Sequence, residues 1–139
     1  RSPMAAGLAR KMLAERLGCD PRTLERHGVK VTSAGTSGGA GPASSGALRA
    51  MSQRGVDLSN HASTALTSGL IQQADHVFVM TQAHLDVVLA MAPWAENKSS
   101  LLLVSQDVED PVGRSDEEYD QCARIIEGGL RERLQEVPL

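Results

Sequence analysis

Two short stretches carry residues whose types could do chemistry. At the start, Arg1-Ser2-Pro3 stands directly against a run with apolar periodicity. A helix N-terminus presents unpaired N–H groups and a partial positive charge, so anions settle there readily. A guanidinium beside it adds a planar fork that grips phosphate through two bonds, and Ser2 adds a hydroxyl. Near the far end, the run Val108-Glu109-Asp110-Pro111-Val112-Gly113 sets a carboxylate immediately before proline. Proline biases its predecessor toward extended backbone, which helps to fix the acid in place. A carboxylic acid held near a phosphate is what protonation of a leaving group requires. Taken singly, each stretch also reads as ordinary structure, a helix start and a turn. Their chemistry depends on the fold bringing them together.

Other candidates fall away. His27, His76 and His84 have no carboxylate or cysteine at metal-ligand spacing and read as surface or packing residues, so no metal and no cofactor is expected. The Gly-rich stretch from Gly35 to Gly41 lacks the spacing of a dinucleotide-binding turn and reads as a solvated loop. Cys19 follows the first helix at the end away from the anion site, and Cys122 lies on an apolar stripe where a buried free cysteine packs as a small hydrophobe. Two cysteines make no disulfide framework, which suits a reducing cytoplasm. A net charge of −3 offers no basic field for nucleic acid or an anionic membrane. With Phe78, Trp94 and Tyr119 as its aromatics, the chain also lacks base-stacking surfaces. No apolar run is long enough to span a bilayer.

The elements that must position these residues follow from periodicity and caps. Ser2 suits an N-cap and Pro3 the first helical position, with Met4, Leu8, Met12 and Leu13 on one face and Gly18 as a stop. A short strand is predicted around Val29–Ser33, and a helix over Ser45–Arg54 closed by Gly55. Thr67 caps a short helix, and His76–Met80 reads as a buried strand. Thr81 caps a helix that ends before Pro93, and Ser100–Val104 is the next buried strand. Ser115 and Glu118 form a capping box ahead of a long helix whose inward face is Tyr119, Cys122, Ala123, Ile126, Leu130 and Leu134. The alternation means an α/β fold with a parallel, twisted sheet. One domain is expected over residues 1–139, since no linker or repeat divides it. The first helix has no strand feeding it, and in doubly wound sheets the ligand binds at such a strand-to-helix junction.

Taken in order, "RSPMA" at a helix start, "VTSAGT" after a short strand, "GVDLSNHAST" before a buried strand and "VEDPVG" before the last helix resemble one family across essentially the whole chain. The family is that of low-molecular-weight protein tyrosine phosphatases, which includes bacterial arginine phosphatases. The resemblance implies a four-stranded sheet with helices on both faces, its first strand ahead of Arg1. It also implies a phosphate loop of Cys, five residues, Arg and Ser, of which Arg1 and Ser2 match the last two positions. Arg1 would clamp the phosphoryl oxygens and Ser2 would hydrogen-bond a nucleophilic thiolate. Asp110 would be the general acid and then the base that activates water. Ser33 and His61 match positions that brace the loop. The nucleophilic cysteine has no counterpart among these residues. Because the chain does not open on Met, a strand and loop bearing that cysteine are expected upstream, and without them the enzyme would be inactive.

The expected function is therefore that of a cytoplasmic phosphoprotein phosphatase with a cysteinyl-phosphate intermediate. Its partner is a phosphorylated protein. In the family, aromatic walls flank the pocket of tyrosine-directed members; here those positions hold residues 36–40 and Val112-Gly113, with no ring. Stacking on a phosphotyrosine ring is worth about 1 kcal/mol per good aromatic contact. A less aromatic ester or phosphoarginine is the expected preference. An arsenate reductase would need two relay cysteines near Ser63–Ala74, and there are none. A catalytically dead phosphoresidue-binding domain is the alternative, with a retained Asp110 speaking against it.

Overall fold

The computed structural model describes residues 2–36 and 41–138. Helix α1 spans Ser2–Leu17 and is rich in Ala, Leu, Met, Lys, Arg and Glu, the residues that lose least side-chain freedom in a helix. It stops at Gly18, whose φ of 69° lets Gly18 and Cys19 donate back to the carbonyls of Glu15 and Ala14. A 3-10 turn, Pro21–His27, is capped by the Asp20 carboxylate and tucks Leu24 against Leu13 and Ala14. Helix α2, Ser45–Ser52, is capped by Ser44 and closed by Gly55 as expected, burying Ala47, Ala50 and Met51.

Helix α3 (Ser68–Gln73) starts at Thr67 and leads to strand β1 (Val77–Val79). Helix α4 (Gln82–Met91) starts at Thr81, and a 3-10 turn over Pro93–Lys98 precedes strand β2 (Ser99–Leu101). The strands pair in parallel, with Val77 opposite Ser99 and Val79 opposite Leu101. Parallel neighbours need a crossover, which α4 and the 3-10 turn supply. Helix α5, Asp116–Glu136, follows its Ser115 cap and buries Tyr119, Cys122, Ala123, Ile126 and Leu130 on the expected face.

The sheet divides two packed layers, and along β1 its period of two decides which residue goes where. Phe78, Met80, Leu102 and Leu103 face the cluster built by α1, α2 and α5. Val77, Val79 and Leu101 face Ile71, Val88, Ala92 and Ala95 on the other side. Fully burying a side chain such as Leu8 or Ile126 is worth about 1.5–3 kcal/mol, so the two clusters carry the fold. No helix among the described residues is long and apolar enough to cross a membrane.

The sheet is smaller than expected. Among the described residues it has two strands. Among the described residues, 29–33 find no ladder partner: Val29 donates its N–H to the Leu24 carbonyl at 3.1 Å, and beyond the segment a parallel bridge joins Gly35 to Ala65. The second buried strand also starts and stops earlier than its apolar run. The Arg133 guanidinium donates to the carbonyls of Leu101 and Leu102 at 2.5 and 3.1 Å, taking the place of a further strand there. Val104, expected inside, is 73% exposed.

Candidate active site

The helix start that could bind an anion is the first turn of α1. Ser2 is its first residue, while Arg1 lies outside the described residues. Met4, in that first turn, is buried in the same packed cluster as Val108, two residues before Asp110. The first turn of α1 and the acid loop therefore share one core.

The acid loop itself is held from several sides. Val108 donates its N–H to the Met80 carbonyl at 2.8 Å, and the Asp107 carboxylate accepts the N–H of Gln82 at 2.9 Å. On the opposite side the Cys122 thiol reaches the Glu109 carbonyl at 3.7 Å. Asp110 accepts the Val112 N–H at 3.1 Å, a turn closed by its own side chain, with Pro111 buried beneath. The Asp110 residue is exposed. It borders a cleft of about 290 Å³ that Asp107, Arg114, Glu118, Cys122 and Ile125 also line. Burial pushes the Cys122 thiol up from its ordinary range, so it is an inert wall of this cleft.

His61 is partly buried, and its Nε2 has no hydrogen-bond partner among the described residues while its backbone N–H donates to the Leu58 carbonyl at 3.0 Å. Leu58 and Val56 press against α1 at Gly7, where a Cβ would stand 2.8 Å from Val56; only glycine permits that approach. The His61 loop is thus seated on the first half of α1. Ser33 lies partly buried in the extended segment that leads to Gly35. Gly35 donates its N–H to the Thr64 carbonyl and accepts that of Leu66, and Ser63 and Gly41 bond each other twice, so residues 63–66 hold both ends of the loop over 36–41. Of that loop, residues 37–40 lie outside the described residues. Among the described residues no group of three His, Cys, Asp or Glu could hold a metal.

Asp107 was not singled out from the sequence. In "SQDVEDPVG" it reads as one more solvated acid, because its partner, Gln82, is 25 residues away.

Three comparisons bear on this arrangement. The family model described as low molecular weight phosphotyrosine protein phosphatase matches residues 1–138. A probable low molecular weight protein-tyrosine-phosphatase, EpsP of Ralstonia solanacearum, is 30% identical over 94% of this chain and 83% of its own. A protein-arginine-phosphatase of Geobacillus stearothermophilus is 31% identical over 97% of this chain and 88% of its own. A solved structure of YwlE arginine phosphatase, a cysteine-to-serine mutant with phosphorylated active site serine, superposes with a TM-score of 0.82 at 33% identity. It covers 97% of this chain and 86% of that one.

Proposed function

Since the chain belongs to the low molecular weight phosphotyrosine protein phosphatase family, we propose that it hydrolyses phosphorylated protein side chains through a cysteinyl-phosphate intermediate. One observation carries the reading: the first turn of α1 and the loop before Asp110, far apart in the sequence, contribute Met4 and Val108 to one buried cluster. The nucleophile of this reading is a thiolate six positions before Arg1, at the end of a strand that completes a four-stranded sheet. A thiolate there is activated by the helix N-terminus and the neighbouring cation. It attacks phosphorus while the bond to the leaving group breaks, and Arg1 holds the phosphoryl oxygens. Asp110 gives its proton to the leaving atom, then takes one from the water that attacks the cysteinyl-phosphate and frees inorganic phosphate. Ser2 donates to the thiolate, and Ser33 and His61 brace the loop. The phosphorylated serine of the cysteine-to-serine YwlE mutant supports such a covalent transfer.

The substrate side favours phosphoarginine. Val112, 53% exposed beside Asp110, supplies no ring to stack on phosphotyrosine. The protein acts in this reading as one domain over residues 1–139, in the cytoplasm. Turnover of matched phosphoarginine and phosphotyrosine peptides, by wild type and Asp110→Asn, tests both parts. Loss of the acid should lower kcat/KM by about a hundredfold or more. An unchanged kcat/KM would remove Asp110 from the mechanism, and a strong tyrosine preference would overturn the substrate assignment.

A further inference from the structure

One bond that holds the acid loop is made by a side chain that takes no direct part in the reaction proposed above. Asp107 Oδ1 accepts the N–H of Gln82, the first residue of α4, at 2.9 Å. One residue on, Val108 donates to the Met80 carbonyl at 2.8 Å. The loop is therefore pinned at two adjacent residues to the three-residue junction Met80–Gln82, where β1 passes into α4. The junction does not need Asp107 for its own cap: Thr81 already serves, its hydroxyl accepting the His84 N–H at 3.1 Å. A second, non-local acceptor at the same helix start fixes the loop relative to the helix rather than starting the helix. Only Val108 and Glu109 separate the pinned carboxylate from Asp110, so the bond anchors the loop close to the acid.

Cys122 meets the loop on its other side through a weak thiol contact with the Glu109 carbonyl at 3.7 Å. The Val112 bond to Asp110 orders the acid against its own turn.

From this geometry we infer that Asp107 is a positioning residue for the Asp110 general acid: it locks the acid-bearing loop to the start of α4. The inference rests on the phosphatase reading. Proton donation is felt most when the leaving group is poor, so a misplaced acid costs rate selectively. A residue that merely supports folding would lower all substrates alike.

The test uses the full-length protein and two esters: phenyl phosphate, with a poor leaving group, and dinitrophenyl phosphate, with a good one. For Asp107→Ala, kcat/KM should fall by about tenfold on phenyl phosphate and by less than about twofold on the dinitrophenyl ester. Asp107→Asn keeps an oxygen acceptor for the Gln82 N–H and should recover most of the phenyl phosphate rate. Equal losses on both esters, or no loss in a variant that folds with unchanged Tm, would overturn the inference. Asp110→Asn separates the two levels of failure. If it too shows no dependence on the leaving group, the acid assignment itself is wrong and the role of Asp107 goes with it. A leaving-group effect in Asp110→Asn that is absent in Asp107→Ala would reject Asp107 alone.

Discussion

Replacing Gly46 by alanine should destabilise the protein, although the same change in a helix normally does the reverse. Gly46 is buried in the first turn of α2. An added Cβ would stand 2.4, 2.5 and 2.7 Å from three ring carbons of Tyr119 in the first turn of α5. That ring is 5% exposed and its hydroxyl meets Ser44 Oγ, the cap of α2, at 3.0 Å. Alanine gains about 1 kcal/mol over glycine in helix propensity. Against this, overpacking costs about 1–3 kcal/mol, and a displaced ring also gives up a hydrogen bond worth about 1 kcal/mol. The balance is a loss of about 1–3 kcal/mol. For a chain of 139 residues this lowers Tm by about 3–10 °C. Gly128 is the internal control: it too lies in a helix, α5, but a Cβ there meets nothing within 4 Å. Gly128→Ala should raise Tm by about 3 °C. Thermal unfolding of both variants followed by circular dichroism decides the matter. If Gly46→Ala is as stabilising as Gly128→Ala, the close contact between α2 and α5 is wrong. The seating of the helix that follows the Asp110 loop would then be wrong with it.

Two further outcomes follow from the charged and thiol groups. Hydrogen bonds from Arg54 and then Arg124 hold the Asp120 carboxyl below its ordinary value of 3.8. A depressed carboxylate stabilises the fold above that value and loses its contribution as pH falls through the lower, folded one. Asp120→Asn should therefore lower Tm at neutral pH, with the gap to wild type closing in acid below 3.8; a gap independent of pH would refute the pairing. Cys122, 7% exposed with its thiol titrating high through burial, should alkylate at least about tenfold more slowly than the half-buried Cys19 until denaturant is added. Peptide mapping after iodoacetamide treatment measures this, and equal labelling of the two would contradict the packing of α5.

The helices were legible in the sequence because their signals are local. Thr67, Thr81 and Ser115 each sit where the structure has a cap, and Gly18 and Gly55 each close a helix with a positive φ. The inward face of α5 was equally plain, since a stripe repeating at helical spacing needs no partner to be seen. Asp110 was visible for a similar reason: the proline after it constrains its backbone. The strands were less legible, because an apolar run says that a segment is buried without saying how far its ladder extends. "SLLLV" continues past the end of β2, and it is the Arg133 side chain, from another element, that takes up the carbonyls there. Residues 29–33 have the composition of a strand, yet a strand exists only with a hydrogen-bonded neighbour, and that is a property of the assembled sheet. Asp107 is the sharpest case. Its type and spacing told nothing, because a carboxylate capping a helix 25 residues away acquires its role only when the chain has folded. The sequence by itself thus determined the local conformations and the residue types able to handle phosphate. Which backbone groups meet, and what holds the acid loop against α4 and α5, was decided by tertiary contacts that no local pattern encodes.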